Sequence, residues 1–247
     1  MNKNFSEGLQ EIAIGYHLNP NVQDKNYDKD FHVLLGKLIR QRHPSANNIL
    51  ELGFGEGTVA QEFFPSFSGE RIVLEGSSEL SEIAQAKLGE SAKVINKLFE
   101  EFETNTKFDL ILATNILEHV ENPIAILNQI YSWLTEDGVC IITVPNSESI
   151  HRRLAVAIGI QIDTKVLSAR DNLVGHLRVY DLEMLESEIS QAKLKVVYKE
   201  GLVIKFLNNK LQDLLPHEVS LGLQEISGDF PIEMTANLYV EVKKCIL

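Results

Sequence analysis

The chain has 247 residues, with 23 Lys and Arg against 35 Asp and Glu and a formal net charge of −12. That balance argues against unassisted binding to a nucleic acid, where most affinity comes from neutralising phosphates, although it leaves room for a local basic patch. An apolar share of 44% can bury a substantial core, and the length suits one large domain or a domain with a lid. Neither Cys140 nor Cys245 has a metal-ligand partner nearby, so no metal site is expected. The opening MNKNFSEGLQ carries no apolar signal core, and the longest apolar stretch, Leu154 to Ile160, is too short to span a bilayer. A soluble, cytoplasmic protein without a membrane partner is the expectation.

Residues 1–45 read as an N-terminal helical cap. Phe31, Leu34, Leu35, Leu38 and Ile39 recur at helical spacing, Arg40, Arg42 and His43 are cationic where the helix should end, and Pro44 stops it. Tyr16, His17, Asn26 and Tyr27 lie in its polar first part. Ile49, Leu50 and Leu52 then predict a buried strand. It breaks into Gly53-Phe54-Gly55-Glu56-Gly57, a helix is expected from Thr58 to Phe64, and Ile72-Val73-Leu74 makes a second strand closed by Glu75. Glycines allow positive φ and let a ligand lie against bare backbone. An acid closing the second strand is where a nucleotide-binding α/β fold holds a ribose diol.

The glycine spacing is G-x-G-x-G, not the G-x-G-x-x-G of dinucleotide sites. Glu56 in the turn and Glu51 before it would repel a pyrophosphate, which such helix N-termini otherwise attract. Two acids suit instead a ligand bearing an ammonium and a sulfonium, as S-adenosylmethionine (SAM) does and NAD does not.

Beyond Glu75, Gly76-Ser77-Ser78 reads as a turn, with Ser78 or Ser81 as cap of a helix bearing Leu80, Ile83, Ala84 and Leu88. Val94-Ile95 is a third strand, and residues 100–107 a solvated turn. Phe108 to Ala113, apolar almost throughout, is the central strand. It runs into Thr114-Asn115-Ile116-Leu117-Glu118-His119-Val120, and ligands of open α/β sheets bind off the carboxyl ends of strands. Pro123 opens a helix with Ile124, Leu127, Ile130 and Leu134 on one face. Glu136-Asp137-Gly138 reads as a turn, and Val139 to Val144 as a strand ending at Pro145-Asn146. Residues 147–180 break the alternation with a helix from His151 to Ile160 and a polar stretch from Gln161 to Asn172. Asp181 caps a helix bearing Leu182, Leu185, Ile189 and Ala192, and Leu194 to Tyr198 is strand six. Residues 202–235 are a second insert, with one short helix expected around Leu207, Leu211, Leu214 and Leu215 and another around Leu221, Leu223 and Ile226. Ala236 to Lys243 is the seventh strand.

Several of these strings, in this order over residues 48–200, resemble the class I SAM-dependent methyltransferases, in the branch acting on small molecules and saccharides. E/D-x-G-x-G-x-G is matched by Glu51 to Gly57, the acid of strand two by Glu75, the fourth motif with its L-E-H-V ending by Thr114 to Val120, and H-L-R-x-[FY] by His176 to Tyr180. The resemblance implies an α/β fold: a Rossmann-like, seven-stranded, mostly parallel sheet with helices on both faces and its last strand antiparallel. Within one domain, 1–247, residues 46–146 become the SAM-binding core and 147–180 and 202–235 inserts on the substrate side. Gly is usual in the family where Lys193 stands.

Carried over residue by residue, Glu51, Gly53, Gly55, Gly57 and Glu75 hold the cofactor. Leu98 or Phe99 packs on the adenine, the other reading of both being ordinary core, and backbone groups of Asn115 hold the ammonium. His176 is the leading candidate for a general base, with Tyr180 beside it. His119 either contacts the substrate or braces the helix to the cofactor loop. Arg152, Arg153 and Arg178 are candidates for holding an anionic group of the acceptor, or are solvated surface charges. The expected cofactor is SAM, with S-adenosylhomocysteine as product, and the expected partner a small-molecule acceptor bound by a monomer or homodimer. An NAD-dependent oxidoreductase and a non-catalytic SAM-binding subunit are the alternatives. A nucleic-acid methyltransferase is disfavoured by the charge and by the lack of an N-P-P-Y or D-P-P-Y string.

Overall fold

Seven strands pair in the order β3-β2-β1-β4-β5-β7-β6: β1 (Ile49–Leu52), β2 (Arg71–Glu75), β3 (Lys93–Asn96), β4 (Phe108–Thr114), β5 (Leu134–Pro145), β6 (Leu194–Leu202) and β7 (Asn237–Lys244). The coordinates are a computed structural model that describes residues 8, 10–19, 22, 26–67 and 69–245. The remainder of the expected 1–45 cap lies outside the described residues. β1 to β5 are mutually parallel, and β7 lies antiparallel between β5 and β6. This is the Rossmann-like sheet that the strand pattern and the resemblance implied.

Alternation divides the apolar side chains between two layers. Leu50, Leu52, Ile72 and Leu74 face helices α4 (Pro123–Trp133) and α7 (Leu182–Gln191). Ile49 and Val73 face α1 (Asn26–Arg42), α2 (Thr58–Phe63) and α3 (Ser78–Leu88). Four further α-helices complete the described residues: α5 (Ile150–Ala157) and α6 (Ala169–Leu173) within residues 147–180, and α8 (Asn209–Gln212) and α9 (His217–Glu225) within residues 202–235. With both faces covered, the cofactor-side ends of β1, β2 and β4 open toward the inserts, as open α/β sheets require.

The fold departs from the sequence reading in local ways. Ser77, not Ser78 or Ser81, caps α3, accepting from the Leu80 N–H at 3.3 Å. Glu136-Asp137-Gly138 is not a turn. β5 begins at Leu134, and the extra residues form a bulge, because the register jumps from Phe108↔Leu134 to Leu110↔Val139. A Cβ on Gly138 would sit 2.8 Å from the Phe108 carbonyl oxygen, so the bulge needs glycine there. The buried stripe of α4 is Ile126, Leu127, Ile130 and Trp133, and Phe102 is buried within the segment expected to be solvated. β6 runs on to Leu202, and the leucine-rich helix expected near Leu207 shrinks to four residues, with Leu211 and Leu214 exposed.

Candidate active site

β1 ends in a turn whose three glycines all have positive φ: Gly53 at 74°, Gly55 at 53° and Gly57 at 78°. They do different jobs. A Cβ on Gly57 would fall 2.2 Å from Cζ of Phe54, whose ring is tucked under the turn, so Gly57 makes room for the core. A Cβ on Gly55 would meet only Cε1 of His17, at 3.6 Å, across open cavity. Gly55 is therefore the glycine that bares backbone to a ligand.

Glu75 closes β2 almost out of solvent. Its Oε2 accepts from the Phe54 N–H at 2.7 Å and its Oε1 from the Ser77 N–H at 2.8 Å. Burial pushes its carboxyl up, against the pull of these backbone donors. Glu51 is 2% exposed, and its Oε2 has no hydrogen-bond partner among the described residues. Burial, and then the charge of Glu75, push its carboxyl up to about 8. An orphaned carboxyl oxygen beside a second buried acid is stabilised by a cation and by little else. Together with the bare backbone at Gly55, this fits an adenosyl ligand with a cationic tail. Phe99 lines the same cavity. Leu98 does not: it precedes a single 3₁₀ turn, where its carbonyl accepts from the Glu101 N–H at 3.1 Å.

Off the end of β4, Asn115 adopts φ 55°. Its Nδ2 donates to Glu118 Oε1 at 2.9 Å, and its Oδ1 accepts from the Thr143 hydroxyl at 3.1 Å, so its side chain secures the loop. Glu118 is fully buried, with Oε2 lacking a partner among the described residues. His119 places Nδ1 at 3.2 Å from the Gly175 carbonyl. Burial, then the neighbouring His176, hold the His119 ring down to about 3. The two imidazoles stand edge to face, 4.8 Å between ring centres.

His176 Nδ1 lies 2.9 Å from Asp171 Oδ1. The other Asp171 oxygen accepts from Arg152 Nη2 at 2.6 Å and from the Ser168 N–H at 2.7 Å. Burial opposes ionisation of Asp171, but the His176 hydrogen bond and the Arg152 charge outweigh it and hold the carboxyl far below its usual range. A carboxylate only accepts, so Nδ1 of His176 carries a proton, and in the neutral imidazole the lone pair is the one on Nε2. Glu118, His119 and His176 bring one ligand-capable atom each within 4.8 Å of one another.

Tyr180 is not in the cavity wall. It is fully buried and donates its hydroxyl to Glu188 Oε2 at 2.9 Å, where it braces the segment that carries His176. The three arginines expected to face an anion are engaged elsewhere: Arg152 with Asp171, Arg153 with Glu148 at 3.0 Å, and Arg178 with the carbonyls of Leu117, Val120 and Glu121. Sequence reasoning missed Asp171. Its spacing from Ser168 is that of a capping box, which the structure shows, but nothing in the sequence aims it at His176. It also missed Lys205, a lone basic residue in an irregular stretch.

Asn115, His119, Asp171, His176 and Lys205 line one cavity of about 1350 Å³. The glycine turn, Glu51, Glu75 and Phe99 form its inner end, and α5, the 160–170 loop and residues 205–211 its outer end. His17, in the single π-helical turn Ala13–His17, roofs the space over Gly55. No helix among the described residues is long and apolar enough to cross a membrane.

Residues 24–199 match the family described as "Methyltransferase domain". Over 141 residues the chain is 31% identical to malonyl-[acyl-carrier protein] O-methyltransferase 1 of Ilyobacter polytropus; the match covers 56% of this chain and 49% of that protein, so the chain spans about half the length of that curated relative. Among solved structures, CcbJ methyltransferase from Streptomyces caelestis superposes with a TM-score of 0.66 at 16% identity, over 96% of this chain and 97% of that one. The N-methyltransferase NodS from Bradyrhizobium japonicum, in complex with S-adenosylhomocysteine, superposes with a TM-score of 0.62 at 13% identity, over 98% and 99%. With the seven-stranded sheet and an ordered set of motifs already in place, the match to residues 24–199 settles the assignment: the chain belongs to the methyltransferase-domain family.

Proposed function

We propose that the chain transfers a methyl group from S-adenosylmethionine to an oxygen or nitrogen of a small-molecule acceptor, a metabolite, natural product or saccharide, releasing S-adenosylhomocysteine. The observation that carries this is the pair of buried acids, Glu51 and Glu75, at the inner end of the cavity. They favour a cationic adenosyl ligand and disfavour the pyrophosphate of NAD. The family match and the likeness to methyltransferase folds support the same reading.

When bound, the cofactor supplies a methyl group on a positively charged sulfur, an electrophile that needs no further activation. What remains for the chain is positioning and proton management. Glu75, fixed by the Phe54 and Ser77 amides, presents its remaining lone pairs to the ribose hydroxyls. Glu51 takes the ammonium with backbone groups of Asn115, Gly55 admits the ligand to the backbone, and Phe99 packs on the adenine. Alignment of this kind contributes up to roughly 7–11 kcal/mol. His176, oriented by Asp171, accepts the proton of the acceptor at Nε2, an effect of about 10²–10⁴-fold. His119, held neutral, packs against His176 and limits its rotation. The inserts 147–180 and 202–235 supply the acceptor side. The unpaired cysteines, Cys140 and Cys245, support a reducing, cytoplasmic setting, and a monomer or homodimer suffices for the reaction.

A second reading of the Glu118–His119–His176 group is favoured by the outer contacts of its imidazoles. Each ring gives Nδ1–H to an oxygen, which leaves two Nε2 lone pairs and the orphaned Glu118 Oε2 for a divalent cation. Turnover unchanged after exhaustive chelation would eliminate it.

Calorimetric titration with SAM, S-adenosylhomocysteine and NAD tests the main reading. Heat from the first two and none from NAD is expected, and binding of NAD alone would overturn it. Cofactor binding with no turnover across a broad acceptor screen would point to a non-catalytic subunit.

A further inference from the structure

The outer end of the cavity differs in charge from the inner. Lys205 lines it and is only 7% exposed. Its Nζ donates to Oδ1 of Asn209 and lies 4.5 Å from the centre of the Tyr27 ring. No carboxylate among the described residues lies within the 4.0 Å of an ion pair with it. The two nearest acids are already engaged: Asp28 accepts from Arg170, the Tyr16 hydroxyl and Asn209, and Asp171 from Arg152, His176 and Ser168. An ammonium withdrawn from water with no carboxylate in contact, Asp28 being reached only through Asn209, is disfavoured. Burial accordingly pushes Lys205 down to about 8, against the pull of Asp28.

His151 lines the same cavity, near enough for the Lys205 charge to act on its ring. Its Nδ1 is buried and has no partner among the described residues. Burial and the Lys205 and Arg152 charges keep its ring neutral, so it offers one N–H donor. Around this pair the rim is apolar. Leu154, Ile158, Ile160, Ile162, Phe206 and Leu211 all line the opening and are between 38% and 90% exposed. Apolar side chains converging on a few buried polar groups are the usual make-up of a small-molecule site.

We propose that Lys205 and His151 form a carboxylate-binding subsite, and that the acceptor is an acid with an apolar body. The proposal rests on the methyl-transfer reading above and names the class of acceptor. One ammonium and one neutral N–H balance a single negative charge. A phosphate dianion would leave charge uncompensated in a buried wall, so the monoanion is favoured. The cavity is then polarised along its length: acids at the inner end for a cationic cofactor, a cation at the outer end for an anionic acceptor.

The test uses the full chain saturated with S-adenosylhomocysteine, titrated calorimetrically with phenylacetate, with neutral phenylacetamide and with benzyl phosphate. Phenylacetate should bind at least about tenfold more tightly than the amide, the preference expected of a charge-assisted hydrogen bond. Lys205→Met, which keeps the volume and removes a buried charge, should bind acid and amide equally with unchanged affinity for S-adenosylhomocysteine. Equal binding of acid and amide by the wild-type protein would overturn the subsite, and so would a preference for benzyl phosphate. Failure to bind S-adenosylhomocysteine would instead overturn the methyl-transfer reading, which keeps the two failures distinct.

Discussion

Asp171 Oδ1 and His176 Nδ1 lie 2.9 Å apart, and this contact fixes the tautomer of the imidazole. Asp171→Asn removes the obligate acceptor and can present an N–H instead, so the ring turns or re-protonates. Turnover should fall by about 10²–10⁴-fold while affinity for S-adenosylhomocysteine holds. The substitution also breaks the buried pair with Arg152, at a cost of about 3–5 kcal/mol, so rates must be taken below the variant's melting temperature. Ser168→Ala separates the two effects. It removes the helix cap and the hydroxyl's 2.6 Å hydrogen bond to Asp171 Oδ2 but leaves the Arg152 and His176 contacts of that carboxylate, costs about 1 kcal/mol and should leave turnover near wild type.

Glu51 gives the cofactor site a pH dependence. Its carboxyl titrates near 8 in the free protein, so below that pH a proton must leave before a cation can be held. Apparent SAM affinity should rise with pH up to about 8 and fall by up to about tenfold per unit below it, with proton release seen in buffers of different ionisation heat. Glu51→Gln should flatten that profile, weaken binding and raise the melting temperature of the free protein. A flat profile in the wild type would remove Glu51 as the ammonium partner.

Gly55→Val and Glu75→Ala should each abolish SAM binding. The first puts a β-branched residue at φ 53°, a strain of about 1–3 kcal/mol, but meets only the edge of His17 at 3.6 Å, so the fold should persist with a lowered melting temperature. The second leaves the Phe54 and Ser77 amides without an acceptor and should cost about 1–3 kcal/mol for each. Wild-type affinity in either variant would dissociate the glycine turn from the cofactor.

Lys193 sits in the left-handed region at φ 58°, exposed, between α7 and β6. Lys193→Gly should therefore stabilise the protein by about 1 kcal/mol, roughly 2–4 °C in melting temperature, without touching activity. An unchanged or lower midpoint in a thermal melt would mean that the unfolded-state entropy of glycine outweighs the relieved strain.

What the sequence made legible follows from what local patterning can encode. β1, β4 and the glycine turn announce themselves because a strand buried on both faces is apolar throughout and a tight turn needs glycine. Glu51 and Glu75 follow from their places at strand ends. Asp171 was invisible because its function lies in an ion pair and a hydrogen bond made by residues 19 positions before it and 5 after it. Lys205 was invisible because being buried depends on the packing of the inserts. Tyr180 was misplaced for the opposite reason: a motif gives order along the chain, not the direction of a side chain, and this hydroxyl points to Glu188. Glu136-Asp137-Gly138 shows the same limit on backbone, since turn residues and bulge residues are chemically alike.

The placing of β7 between β5 and β6 carries a consequence for biosynthesis. During translation β5 emerges early, yet its outer edge is paired only when residues 237–244 arrive, and β6 has no partner in the sheet until the same moment. Until then Cys140 to Val144, wholly buried in the finished protein, present an open apolar strand. The nascent chain is therefore most exposed to aggregation and chaperone capture in the interval between the synthesis of β5 and that of β7, and loss of β7 would expose that edge permanently.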